Sequence, residues 1–168
     1  MNYKIKKLKK SDWKLYKEIR LEALKNEPSA FGSSYDTEFK RSDEDWQKKF
    51  KDIESSKSSK FYYAAQIDEK LVAIGGAFQE ENNEWNIIAI YTKPNNRGKG
   101  IGNKLLSSIR EELKIRKTLK AFLRVNVDQL AAISLYKKLG FTILDTHKDQ
   151  LLGDGKYYDE YEMVCEIK

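Results

Sequence analysis

Cysteine and histidine are almost missing from this chain, each occurring once in 168 residues. A lone Cys165 cannot close an internal disulfide, so a reducing compartment suits the chain and a cytoplasmic protein is the expectation. Its place in a strand-like alternation near the C-terminus reads as a small buried hydrophobe. A lone His147 excludes a site built on several histidines, and no metal is expected. Proline is as scarce: Pro28 and Pro94 are the only two, and each reads as the end of an element. No apolar run approaches a membrane span, and the opening MNYKIKKLKK lacks the apolar core of a signal peptide, so no membrane partner is expected. Repeats and low-complexity segments are absent. The net charge of +6 comes from 32 basic and 26 acidic residues, a surface of mixed sign. Such a balance admits an anionic cofactor or nucleic acid. No basic stretch interleaved with aromatics argues for nucleic acid, which would rest on charge alone and show salt-dependent binding.

What is present fits one domain over residues 1–168, with 40% hydrophobic and 12% aromatic residues to build a core. The chain is organised around Glu84 to Leu106, EWNIIAIYTKPNNRGKGIGNKLL. Trp85 to Thr92 reads as a buried strand, Pro94 stops it, and Asn95-Asn96 supply turn chemistry. Arg97-Gly98-Lys99-Gly100-Ile101-Gly102 then opens a helix with Ile101, Leu105, Ile109 and Leu113 on one face. Glycines at a helix start let a ligand approach the backbone, and the first helical amides and the dipole favour negative charge. Arg97 and Lys99 add two cations, so the loop reads as a cradle for a phosphate or pyrophosphate. A Walker A loop would need Ser or Thr after Gly-Lys, and Gly100 stands there; the dinucleotide fingerprint fails at Asn103 and Leu105.

Around that stretch, Tyr3 to Leu8 alternates as a short strand. Ser11 is placed to cap a helix bearing Trp13, Tyr16, Ile19, Ala23 and Leu24, with Arg20 at the edge of its face as a solvated or ion-paired residue. Pro28 to Tyr35 reads as a loop in which Phe31 and Tyr35 either pack or touch a ligand. Ser42 caps a second helix with Trp46, Phe50 and Ile53 inward, and 55–60 is a surface connection. Strands Phe61 to Ile67 and Lys70 to Phe78 form a hairpin at Asp68-Glu69, with a bulge or close approach at Gly75-Gly76. Leu119 to Val127 is a further strand. Asp128 caps a helix presenting Ala131, Ala132, Leu135, Tyr136 and Leu139, which Gly140 and Phe141 close. Thr142 to Leu151 and Lys156 to Ile167 are the last strands, turned by Gly153-Asp154-Gly155. The order β-α-α-β-β-β-α-β-α-β-β implies a mixed sheet with helices on both faces, parallel across helical crossovers and antiparallel across short turns.

The loop R-G-K-G-I-G after a strand ending in x-x-P resembles the pyrophosphate loop of the GCN5-related N-acetyltransferases. Asn126 to Phe141, NVDQLAAISLYKKLGF, resembles that family's second conserved region at Ala132, Leu135, Tyr136, Gly140 and Phe141, with Gln129 where asparagine is usual. The element order is similar across nearly the whole chain. The resemblance implies a mixed, mostly antiparallel α/β sheet and transfer of an acetyl group from acetyl-CoA to an amine, on a small molecule or a peptide. A non-catalytic acyl-CoA sensor or structural module is the alternative. It implies a pyrophosphate held over Arg97, Gly98, Lys99, Gly100, Ile101 and Gly102, and pantetheine along Ile90, Tyr91 and Thr92, with Asn126 and Gln129 also facing the cofactor. It points to Tyr136 as general acid, and it associates the Pro28 to Tyr35 loop, with Phe31 and Tyr35, with the acceptor. Many members carry a glutamate where this chain has Asn86, and others two residues earlier, at Glu84. Strand alternation puts Glu84, Asn86, Ile88, Ile90 and Thr92 on one face, so Glu84 is the candidate base, directly or through water. Glu80, Glu81 and Glu84, with Asp43 to Asp45, would favour a cationic acceptor or serve only as surface charge. A homodimer is left open.

Overall fold

The computed structural model describes residues 2–168. Strand β1 (Lys4–Lys7) leads to helices α1 (Trp13–Asn26), α2 (Tyr35–Phe39) and α3 (Asp43–Lys49), then to strands β2 (Lys60–Ile67), β3 (Lys70–Gln79) and β4 (Trp85–Thr92). Helix α4 (Ile101–Ile115), strand β5 (Lys120–Asn126), helix α5 (Leu130–Lys138) and strands β6 (Thr142–Leu151) and β7 (Tyr157–Glu166) follow. The seven strands form one sheet in the order β1-β2-β3-β4-β5-β7-β6. Only β4 and β5 pair in parallel; all other neighbours are antiparallel. A mixed sheet with helices on both faces is what the pattern implied, and its mostly antiparallel pairing is what the family resemblance implied.

Each face has its own core. Under α4 and α5, Leu105, Leu106, Ile109, Leu113, Leu123, Val125, Ile133 and Met163 pack together. Under α1 and α3 the core is aromatic, with Tyr16, Trp46, Phe50 and Tyr62 beside Leu8, Ile19, Leu24 and Ile74. Each such side chain fully buried contributes about 1.5–3 kcal/mol. The expected inward residues of α3 and α4 are therefore the observed ones. Gly140 ends α5 with φ +89°, the Phe141 N–H returns to the Tyr136 carbonyl at 3.0 Å, and Phe141 is buried beneath it. Cys165 is buried as read, and burial raises its thiol pKa.

Several local expectations are corrected. Tyr35 does not end a loop but begins α2, because the Ser34 hydroxyl caps the helix by accepting from the Thr37 N–H at 3.2 Å. Ser11 does not cap α1; Asp12 is the N-cap residue, and its carboxylate instead accepts from the Lys9 N–H at 2.8 Å. Asp128 likewise gives way to Gln129, since the Asp128 N–H is taken by the Asn126 side chain at 2.9 Å. Strand β1 runs antiparallel to β2 despite the helices between them; a connection holding three helices can return at either end of the sheet. Strand β7 lies between β5 and β6, because β7 carries the buried Met163 and Cys165 whereas β6 is largely exposed.

The bulge falls on β4, opposite the glycines. Gly76 faces Ile88 and Ile74 faces Tyr91, so Ala89 and Ile90 together oppose Gly75. Ala89 has φ +59°. A Cβ on Gly75 would come within 2.5 Å of Ile90 Cδ1, so Ile90 occupies the space that glycine leaves. The alternation reverses there: Ile90 joins Trp85 and Ile87 on the α4 side, and Tyr91 joins Ile88 on the α1 side. Glu84, Asn86, Ile88, Ile90 and Thr92 therefore do not share one face.

Candidate active site

Strands β4 and β5 are hydrogen-bonded neighbours only at Trp85–Ala121 and Asn86–Phe122. Beyond them β4 stays with β3 as far as Thr92, while β5 stays with β7 to Asn126. Each strand follows its outer partner, the bulge bends β4, and a V opens between them. The edge of β4 from Ile87 to Thr92 facing β5 has no strand partner.

The open end of the V leads to the glycine loop. Gly98 and Gly100 have φ of +72° and +76°, and nothing lies within 4 Å of where a Cβ would point. Both are glycine for their backbone conformation. Gly102 is glycine for packing: a Cβ there would meet Leu135 Cδ2 at 3.1 Å, which sets α5 close against the start of α4. The N–H groups of Gly98, Gly100, Ile101, Gly102 and Asn103 find no acceptor among the described residues. Unpaired amides at a helix N-terminus, with open space above them, suit an anion.

The two cations of the loop are differently engaged. Arg97 donates from Nε to the Thr92 carbonyl at 2.9 Å, pairs through Nη2 with Glu27, and lies 5.8 Å from the Tyr91 ring centroid. Its guanidinium thus ties the loop to the end of α1. Lys99 Nζ donates to the Asn95 carbonyl at 2.6 Å. Ile90 is half-buried against the α4 core, Thr92 faces Gly102, and Tyr91 is buried on the opposite face, where its hydroxyl meets Glu22 and Asn26.

Tyr136 lies on the inner side of α5, edge-on to Phe141 with ring centroids 6.0 Å apart. Burial pushes its phenol pKa well up, and no described residue hydrogen-bonds its hydroxyl. Gln129 is half-buried at the start of α5, and its side-chain amide has no hydrogen-bond partner among the described residues. Asn126 is otherwise occupied: its amide nitrogen donates to the Ser29 carbonyl at 2.9 Å while its oxygen accepts from the Asp128 N–H. It pins the segment after α1 over the end of β5.

That segment forms a rim. The Gly153 N–H donates to the Phe31 carbonyl at 2.7 Å, and a Cβ on Gly153 would strike the Ser33 carbonyl at 2.3 Å. The β6–β7 turn and the Phe31 loop are thus joined face to face. Phe31 is buried, and Tyr35 stacks on Phe39 at 5.4 Å. Asn86 stands where β4 and β5 part. Glu84 is exposed just before β4, its carboxylate accepting from Asn82 Nδ2 at 2.9 Å. It lies about 26 Å of extended strand from Thr92, at the closed end of the V. The acidic groups divide: Asp43 pairs with Lys17, Asp45 completes the Ser42 cap, and Glu80, Glu81 and Glu84 stay on the β3–β4 turn.

Two residues escaped the sequence reading. Glu160 is half-buried on the face of β7 opposite Met163, beside Asn126 and His147; burial raises its carboxyl pKa, with Arg124 and His147 opposing. The alternation Glu160-Tyr161-Glu162-Met163 carried that signal. Arg20, expected at an exposed edge, is only 8% exposed; an arginine within an apolar helix face is ambiguous until the layer above it is known.

No curated protein is significantly similar in sequence. Among solved structures, a putative acetyltransferase from Salmonella typhimurium with its cofactor acetyl-CoA shares 17% identity, covering 100% of this chain and 95% of its own, with TM-score 0.83. A spermidine N-acetyltransferase from Vibrio cholerae in complex with CoA and spermine shares 15% (98% and 95%, TM-score 0.78). A ribosomal-protein-alanine N-acetyltransferase from Brucella melitensis shares 19% (97% and 99%, TM-score 0.77). These identities speak for the fold. The acetyltransferase (GNAT) family model matches residues 20–141, a span running from α1 through the V and the glycine loop to the end of α5, and the chain belongs to that family.

Proposed function

We propose that the protein transfers the acetyl group of acetyl-CoA to an amine. The observation that carries this reading is the V between β4 and β5 opening onto a helix N-terminus whose amides are unpaired. The relatives of like fold that hold acetyl-CoA or CoA support it. When bound, acetyl-CoA supplies a thioester whose carbonyl carbon gains the amine nitrogen as its bond to sulfur breaks.

The chain's own groups divide the remaining work. The amides of Gly98, Gly100, Ile101 and Gly102 would hold the pyrophosphate, and the free edge of Ile90 to Thr92 offers N–H and C=O groups to the amide-bearing pantetheine arm. Gln129 offers a further amide. An edge N–H of β4 also suits the oxygen on which charge develops during attack. Tyr136 gives its proton to the departing thiolate; burial keeps the phenol protonated through the physiological range. Glu84, at the closed end of the V beside Asn86, takes the proton of the amine through water. Phe31 and Tyr35 border the acceptor's entry.

A panel of amines and peptides incubated with acetyl-CoA and scored by free thiol release tests this. Amine-dependent release is the expected result. Tight acetyl-CoA binding without release for any acceptor would leave a cofactor-binding module in place of a transferase.

A further inference from the structure

Helices α1, α2 and α3 enclose polar groups that acetyl transfer does not use. The Arg20 guanidinium makes no hydrogen bond or ion pair with a described residue, and its Nε and Nη1 are fully buried. It lies over the Phe31 ring, Cζ 4.7 Å from the centroid. Trp46 is wholly buried and its indole N–H also lacks an acceptor. Glu38, 4% exposed, sends Oε2 towards Arg41 Nε at 3.1 Å, outside hydrogen-bond geometry. Lys49 lies over the rings of Tyr16 and Trp46, at 5.7 and 5.4 Å. Burial lowers its pKa to about 8. Tyr16 and Tyr62, hydrogen-bonded to each other, feel both Arg20 and Glu38.

These groups are out of balance in charge and in hydrogen bonding. Arg20, Arg41 and Lys49 face a single carboxylate, Glu38. Three buried donor nitrogens, two on Arg20 and one on Trp46, stand against one buried oxygen without a hydrogen bond, Glu38 Oε2, which is itself ion-paired with Arg41. A buried guanidinium without a counter-ion is costly, and folds rarely keep one with nothing to pair it. A carboxylate would match these donors in charge and in hydrogen bonding.

We infer that Arg20 is the receptor for a carboxylate carried by the acetyl acceptor, which would then be an amino acid or small peptide having both a free amine and a carboxylate; Trp46, which like Arg20 neighbours Tyr16, carries the reporting indole N–H. This rests on the proposed acetyltransferase activity. The location connects the two: Phe31, which covers Arg20, is held by Gly153 of the β6–β7 turn, and Ser29, two residues before it, is held by Asn126 at the end of β5. Arg20 thus stands one residue layer behind the rim of the V. A planar two-oxygen anion matches a guanidinium.

Two measurements test this, and the first needs no turnover. In ¹⁵N-labelled protein, the Trp46 indole resonance is identified by its loss in Trp46→Phe and followed during titration with sodium formate and acetate. Sodium chloride at matched ionic strength and inorganic phosphate are the controls. A saturable shift with the carboxylates alone, abolished in Arg20→Met and weakened in Arg20→Lys, is expected. No carboxylate-specific shift in the wild type, or an equal shift with phosphate or in Arg20→Met, overturns the assignment. The second measurement separates a carboxylate on the acceptor from a free one. The kcat/KM preference for an amino-acid acceptor over its amide should fall at least tenfold in Arg20→Met. An unchanged preference overturns the acceptor role. If no acceptor of any kind releases thiol, the transferase proposal fails, while the indole titration still decides whether the carboxylate site exists.

Discussion

The two faces of the sheet are built on opposite terms. Beneath α4 and α5 the core is apolar, and the buried carboxylate of Glu112 is fully engaged by Lys7, Arg116 and Tyr63. Beneath α1, α2 and α3 the core is aromatic and leaves Arg20 and Trp46 with unmatched donors. The first arrangement suits a rigid platform: dense apolar packing holds the N-terminus of α4 steady, as the proposed pyrophosphate site would require. The second suits a surface that awaits part of a ligand, since unmatched buried polar groups are tolerated where function uses them.

The contrast can be broken at several points. The largest effect is expected at Tyr136, which packs on Phe141 within the platform and is the proposed general acid. Tyr136→Phe keeps the packing on Phe141 and should lower kcat by about 10²–10⁴-fold, with acetyl-CoA affinity by calorimetry unchanged. Next comes the platform itself. Leu105→Ala opens a cavity in the tight layer under Gly75 and should cost about 2–5 kcal/mol in denaturant unfolding. Gly100→Val forces a β-branched residue into φ +76°, a strain of about 1–3 kcal/mol; acetyl-CoA affinity should fall at least by the corresponding roughly tenfold to hundredfold.

The opposite face should answer differently. Arg20→Met removes an unmatched cation while keeping much of its volume, so the unfolding free energy should stay level or rise by about 1 kcal/mol. A loss as large as that of Leu105→Ala would mean that the two faces do not differ as described. The smallest effect is expected at Glu84, whose exposed carboxylate solvent can partly replace. Glu84→Gln should lower kcat/KM most at low pH and recover as rising pH deprotonates the amine, by less than the roughly 10²–10⁴-fold of a buried acid–base group. A flat pH response removes Glu84 from the mechanism and turns attention to Glu160, whose carboxyl pKa burial raises.

The chain by itself determined the elements with strong local causes. The 3.6-residue spacing of Ile101, Leu105, Ile109 and Leu113, the Ser42 cap, the closure at Gly140-Phe141 and the turn at Asp68-Glu69 each need only neighbouring residues. The glycine loop was legible for the same reason, because a helix start and glycine backbone freedom are local properties. Tertiary structure decided the rest. The bulge at Ala89-Ile90 exists because Gly75, on another strand, leaves room for Ile90, and no alternation within β4 could announce it. Asn126 became a strut because Ser29 comes to lie above it, nearly a hundred residues away in sequence. Arg20 turned from an edge residue into a buried cation because Phe31, in the segment after α1, closes over it. Periodicity records which side of an element is buried; what covers that side, and whether it brings a partner for each polar atom, is settled only when distant segments meet.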